Sequence, residues 1–341
     1  MRARNARVST KIGITAEFWL SLLLKHALMP KLKKPILAEL PEPEAINVAE
    51  LAQKYLSGEV ELICVLGPTA SGKTKYAVRL ARTLEAELGG CGQARCDQQD
   101  GCGGQARCEI ISADSRQVYR GMDIGTGKDL ADYDGIPYHI IDVADPGDGY
   151  NVYRFCEDFS RAYADIRSRG CVPILCGGTG LYINAVCSGY NFRDRKPLSA
   201  PAAAHPGPDG EAIPGRQPAG AVPASGSPSG QPGQRPPRTY FIGTLVSREV
   251  RNARIDDRLR ARLAEGMIDE IRGLLDRGVP AETLISYGLE YKFVTLYLQG
   301  ELNEDELFTQ LSTAIHQFAK RQMTWLRGME RSGIRIHWTE V

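Results

Sequence analysis

The 341-residue chain contains no apolar run approaching the roughly twenty residues that a membrane-spanning helix needs. A membrane protein of that kind is not expected. Its nine cysteines are too few to act as a disulfide scaffold for so long a chain. Two of them, Cys64 and Cys176, fall in apolar runs where a reduced thiol behaves as a small hydrophobe. The expected setting is therefore a reducing cytoplasm. An excess of one charge is lacking too: 42 Lys and Arg face 41 Asp and Glu, for a formal net charge of +1. Any contact with nucleic acid must then rest on a local basic patch, not on the average. What the chain does have is 43% hydrophobic residues, enough for a sizeable core in one or two domains.

Short apolar runs alternate with helical periodicity. Strands are expected at Glu61–Leu66, Glu109–Ala113, Tyr138–Asp142, Val172–Cys176 and Tyr240–Val246. Helices are expected at Lys75–Leu88 and Asn151–Ser168, and as one long amphipathic helix over Arg251–Arg277 with Ile255, Leu259, Leu263, Ile268, Ile271 and Leu275 on its stripe. Gly278 and Pro280 stop that helix. Two more are expected near Leu289–Leu298 and Glu304–Met329. This alternation predicts a P-loop NTPase-like, doubly wound parallel α/β sheet with added C-terminal helices.

Three stretches fall outside the pattern. Residues 1–58 are expected to be a poorly ordered extension, basic over 1–34, where eight Lys or Arg stand against Glu17 alone. A Gly- and Gln-rich insertion over 89–108 interrupts the 59–196 core. Its four cysteines, spaced C-x4-C-x5-C-x5-C, match no common zinc pattern, so a loop is expected. Residues 197–237 hold eleven Pro and seven Gly, leaving little to bury, and are expected to be a disordered linker. The last core strand and the C-terminal helices follow over 238–341.

Gly67-Pro68-Thr69-Ala70-Ser71-Gly72-Lys73-Thr74 satisfies G-x4-G-K-[ST] between an expected strand and an expected helix, the context this motif requires. Its glycines let successive N–H groups turn toward a phosphate, the helix N-terminus favours the negative charge, and Lys73 adds a full cation. Thr74 is the candidate Mg²⁺ ligand. The motif alone leaves open whether a nucleoside triphosphate or a diphosphate is gripped. By the switch-point rule, Ser112-Ala-Asp-Ser-Arg-Gln-Val-Tyr-Arg-Gly-Met-Asp-Ile-Gly-Thr-Gly-Lys128 and Gly177-Gly-Thr-Gly-Leu-Tyr182 leave strand ends on the same edge.

These three segments, in this order, resemble the tRNA dimethylallyltransferases. Ala314-Ile-His-Gln-Phe-Ala-Lys-Arg-Gln-Met-Thr-Trp325 is similar to the closing motif of the same family. The resemblance covers roughly 60–196 and 239–338. It implies that the P-loop grips dimethylallyl diphosphate instead of ATP, with Mg²⁺ as cofactor, and that the chain works as a monomer on the anticodon stem-loop of tRNA. Asp114 would accept the proton of the adenine N6 amine as it attacks the allylic carbon. Thr179 would bond near that amine or the phosphates. Arg254, from an R-I-x-x-R pattern completed by Arg258, would neutralise the leaving diphosphate. The adenosine immediately 3′ of the anticodon would have to leave its stack.

Asp114, Ser115, Arg116, Gln117 and Thr179 are the expected contacts to that base and its neighbours. Ser286, Tyr287 and Gly288 correspond to a family segment lying against tRNA, although the text here departs from the commoner C-V-G-Y-R-Q form. Gln317, Lys320, Arg321, Trp325, Arg327 and Arg331 make a basic stretch with interleaved aromatics. One helix cannot point all of them one way, so Lys320 and Arg321 are preferred. The family's helical insertion is replaced here by the Pro/Gly tract. Two alternatives stay open: a P-loop kinase or adenine-nucleotide isopentenyltransferase, and a non-catalytic tRNA-binding relative.

Overall fold

In the computed structural model, β1 (Leu62–Leu66) is buried at every position, as befits a central strand covered on both faces. The structure describes residues 40–90, 107–188 and 235–341. Most of the basic extension, the body of the Cys-rich insertion and the Pro/Gly tract up to residue 234 lie outside the described residues.

Residues Pro43–Val341 form one compact unit. Six parallel strands run in the order β3-β2-β4-β1-β5-β6: β2 (Cys108–Ser112), β3 (Tyr138–His139), β4 (Val172–Gly177), β5 (Thr239–Leu245) and β6 (Ile336–Glu340) flank β1. Period-two alternation sends Ile63 and Val65 to one face and Leu62, Cys64 and Leu66 to the other. The first face is covered by α1 (Val48–Leu56) and α2 (Lys73–Gly90), which buries Ala77, Leu80, Ala81 and Leu84. Each such leucine contributes on the order of 2 kcal/mol by leaving water. The second face carries α3 (Val152–Ser168), α4 (Gly180–Cys187) and the C-terminal helices. Helices on both faces make the sheet doubly wound, as expected.

Several expectations need correcting. The stretch 1–58 is not extension throughout: Asn47 caps α1, whose Leu51 and Ala52 are buried. The insertion's ends are ordered, since α2 runs on to Gly90 and Cys108 opens β2. At the end of the Pro/Gly tract, Arg235 pairs with Glu61 at 2.7 Å. The strand expected over Tyr138–Asp142 keeps only two residues, because Ile140 and Asp142 adopt left-handed φ values of 61° and 57° and break the ladder.

The long helix over Arg251–Arg277 is two helices, α5 (Arg248–Glu265) and α6 (Met267–Asp276). Gly266, at φ 105°, ends one and starts the other without interrupting the apolar stripe. A short α7 (Ala281–Tyr287) precedes α8 (Leu289–Leu298) and went unforeseen, as did β6. α9 (Glu304–Arg331) opens with a capping box between Asn303 and Glu306.

Candidate active site at the carboxyl edge of the sheet

Register brings the three chemistry-bearing loops together. Leu66 pairs with Gly177, and Ser112 with Cys176, so β1, β2 and β4 end level with one another. Above that edge opens a cleft of about 3230 Å³, closed on its far side by α5, α8 and α9.

The P-loop is shaped from beneath. A Cβ on Gly67 would stand 2.1 Å from Thr244 Oγ1, so only glycine fits. Ser71 is fully buried and shares a 2.7 Å hydrogen bond with that same hydroxyl. Ala70 and Gly72, at φ 59° and 80°, curl the chain. Gly67, Pro68 and Ser71 thus set the loop's form. Thr69, Ala70, Gly72, Lys73 and Thr74 line the cleft at the start of α2. Burial pushes the Lys73 ammonium down, while the Asp114 carboxylate acts to keep it protonated. The Cys176 thiol is driven up to about 11 by burial, despite Lys73 and a hydrogen bond with Thr74. It is a neutral thiol and no nucleophile.

Asp114 follows β2. Its Oδ1 accepts from the Arg116 N–H at 2.9 Å, and Oδ2 has no protein partner among the described residues. Thr179 occupies the N-cap position of α4, yet its hydroxyl makes no cap bond. Instead it accepts from the Ser115 N–H at 3.1 Å, while the Thr179 N–H donates to Ala113 O at 3.2 Å. A Cβ on Gly177 would strike Ala113 O at 2.3 Å, so this approach also demands glycine.

Arg254, Arg258 and Arg262 share one face of α5 and all line the cleft. Arg258 is committed: it donates to Asp129 and, at 3.3 Å, to Gly127 O. Arg262 lies 3.9 Å from Glu290, and burial with the neighbouring Arg258 pushes its guanidinium down. Arg254 meets no carboxylate among the described residues, and its Nη1 would be 3.9 Å from a Cβ on Gly72. Of the R-I-x-x-R pair, Arg254 is thus the cation left facing the P-loop.

The two segments expected to face RNA do meet. Arg116 Nη1 reaches Ser286 O at 3.5 Å, and Gly288, at φ 150°, lies beside Arg116. Arg116 and exposed Ser286 border the cleft together. Tyr287 borders the cleft between them. It is 6% exposed, its ring lies 4.4 Å from that of Tyr119, and its hydroxyl accepts from Gly147 N, so its ring packs in the core. The Gln117 amide is likewise engaged, accepting from Ser112 Oγ at 3.1 Å and donating to Gly127 O at 3.0 Å. Arg321 lines the cleft with its guanidinium over Phe318, whereas Lys320 is exposed outside the lining.

Three structuring residues went unforeseen. Lys128, 2% exposed, donates to Tyr119 O, Asp123 and Asp142. Glu270 of α6 accepts from the consecutive N–H groups of Asp123, Ile124 and Gly125 at 2.7, 2.7 and 3.0 Å, and from the Tyr291 hydroxyl at 2.6 Å. Gln322 bridges the P-loop to the loop after β4. The loop contacts of Glu270 and Gln322 carry no sequence signal, because they cross long chain separations, whereas Lys128 acts on partners within fourteen residues.

Comparison with known proteins agrees with this arrangement. A family profile described as IPP transferase matches residues 117–208 and 217–329. The chain is 47% identical to tRNA dimethylallyltransferase 2 of Porphyromonas gingivalis, over 82% of this chain and 94% of that protein. It is 45% identical to tRNA dimethylallyltransferase 1 of Parabacteroides distasonis, over 82% and 92%. Among solved structures, the tRNA isopentenylpyrophosphate transferase of Bacillus halodurans superposes with TM-score 0.60 at 29% identity, covering 82% of this chain and 89% of that one. A eukaryotic dimethylallyltransferase acting on tRNA shares the fold, with TM-score 0.56 at 20% identity.

Proposed function

This chain belongs to the IPP transferase family, and from that premise we propose that it transfers a dimethylallyl group from dimethylallyl diphosphate to N6 of the adenosine immediately 3′ of a tRNA anticodon. The observation that carries this is the meeting of two loops at one sheet edge. The P-loop offers Lys73 and Thr74, and 2.9–3.2 Å hydrogen bonds fix Asp114 and Thr179 beside it.

The allylic carbon–oxygen bond breaks, and its electron pair leaves with the diphosphate. A bond forms between that carbon and N6, and the N6 proton passes to Asp114 Oδ2, the oxygen without a protein partner. Lys73, the curled P-loop backbone and Arg254 receive the negative charge of the leaving group. Thr179 holds the Ser115 peptide, and through it the turn that aims Asp114. Arg116, Ser286 and Arg321 border the cleft where the flipped base and its neighbours enter.

Among the described residues, no three His, Cys, Asp or Glu side chains converge on a metal site. The Thr74 hydroxyl, lining the cleft at the start of α2, would be the protein ligand of a Mg²⁺ ion. When bound, the ion would neutralise charge on the diphosphate. We propose that the chain works as a monomer. No helix among the described residues is long and apolar enough to cross a membrane, and we place the enzyme in the cytoplasm.

The test is transfer of labelled dimethylallyl diphosphate to unmodified tRNA, compared with free AMP and ATP, with Asp114→Asn as control. Label on tRNA alone, lost by about a hundredfold or more in the variant, is the expected result. Label on AMP alone would assign the chain to the nucleotide-prenylating class. No label on any acceptor, with tRNA still bound, would make it a non-catalytic relative.

A further inference from the structure

Gln322 sits near the middle of α9, far in sequence from both loops it touches. Its Oε1 accepts from the Thr69 N–H of the P-loop at 2.8 Å. Its Nε2 donates to Gly178 O, in the loop after β4, at 3.0 Å. The side chain fills a slot that only glycine leaves open. A Cβ on Gly178 would lie 2.6 Å from Gln322 Nε2 and 3.2 Å from Gly67 O. One turn further along α9, the Trp325 ring lies against Gly180, where a Cβ would stand 2.1 Å from it. The helix is thereby seated against the loop at two points.

We propose that Gln322 is a positioning residue that fixes the distance between the diphosphate grip and the proton acceptor. Three connections support this. Thr69 belongs to the loop that holds the diphosphate in the function proposed above, on which this inference rests. Gly178 is followed by Thr179, whose hydroxyl holds Ser115 N and hence the Asp114 turn. An amide offers one acceptor and one donor at a fixed separation, matching one peptide N–H on the first loop and one peptide C=O on the second. Neither a carboxylate nor an ammonium of similar reach supplies both. In this role Gln322 acts through the two loops and not on a reacting atom. It acts by holding the allylic carbon within reach of the amine that Asp114 deprotonates, where an error of about 1 Å can cost on the order of a hundredfold in rate.

The experiment is steady-state transfer by wild type, Gln322→Met and Gln322→Glu, with thermal melts of each. Methionine keeps the length without the hydrogen bonds. Glutamate keeps an acceptor for Thr69 but sets a carboxylate against Gly178 O. The expected result is a fall in kcat of about ten- to a hundredfold in both variants, with KM for dimethylallyl diphosphate and for tRNA unchanged and melting close to wild type. The double variant Gln322→Met with Thr179→Val should then be no slower than the slower single variant, because the two side chains serve one connection. Retained kcat in Gln322→Met would overturn the proposal. So would a loss seen only in KM, or a kcat loss that multiplies fully with that of Thr179→Val. If Gln322→Met does not fold, Gln322→Glu decides by the same kcat-against-KM split. Wild type lacking transfer would instead reject the function itself, so the two failures are distinguishable.

Discussion

The hydroxyl of Thr179 accepts a hydrogen bond from the backbone N–H of Ser115 at 3.1 Å, so the loop after β4 holds the turn after β2. A threonine at this position would ordinarily cap α4. Its diversion leaves the helix uncapped and spends the hydroxyl on the neighbour of Asp114. Thr179→Val should therefore slow transfer by about tenfold through misplacement of Asp114. The partly buried Ser115 N–H left without a partner should cost about 1 kcal/mol in stability. Thr179→Ser, which keeps the oxygen, should retain most of the rate. Kinetics and thermal melts of the two variants check this.

The arginines of α5 should separate. Arg254→Gln removes the cation that faces the P-loop without a carboxylate partner, and kcat/KM should fall by about a hundredfold. Arg258→Gln breaks half-exposed contacts to Asp129 and Gly127, and should cost no more than about 1 kcal/mol in stability and about threefold in rate. Equal losses from both substitutions would show that the pairing with Asp129 does not set Arg258 apart.

Glu270 gathers three consecutive peptide N–H groups and a phenol on one carboxylate. Glu270→Gln weakens a charge-assisted set and turns an N–H group toward donors, so stability should drop by about 1–3 kcal/mol. Hydrogen exchange at Asp123, Ile124 and Gly125 should accelerate well beyond that of the β1 amides. Unchanged exchange at these three amides would count against Glu270 as the anchor of the loop.

A pH effect follows from the opposite end of β2. Glu109 is 3% exposed. Burial would raise its carboxyl, yet the Arg169 fork and His139 Nε2, 2.7 Å away, outweigh this and hold it at about 2. A depressed carboxyl stabilises the fold fully above its unfolded value near 4.5, and that contribution is lost as pH falls from there toward 2. The loss is on the order of 3 kcal/mol. Urea unfolding at pH 6, 4 and 3 should show it, and Glu109→Gln should flatten the profile over that window.

The local physics of the chain determined most of the frame. Buried runs such as Leu62–Leu66 can only be central strands. The apolar stripe from Ile255 to Leu275 can only be helical, and Gly67–Thr74 between strand and helix can only be a phosphate loop. That Asp114, Thr179 and Arg254 would gather at one edge was legible because each lies in a local pattern at a strand end or on a helix face. Local signals misled where backbone conformation outweighed side-chain type: Gly266 breaks a helix whose apolar stripe its neighbours continue, and left-handed Ile140 and Asp142 cut short an apolar strand.

What only the tertiary structure decided is which side chains are committed and which are free. Tyr287 and Gln117 line the cleft, and only the fold shows that the Tyr287 ring and the Gln117 amide also have partners within the protein. Arg254 and Arg258 look equivalent until Asp129 takes one of them. The loop contacts of Gln322 and Glu270 could not be read at all, because those partners lie far off in the chain and no spacing rule links them. A hydrogen bond between distant segments depends on where strands register and helices pack, and those long-range contacts leave no periodicity in the sequence.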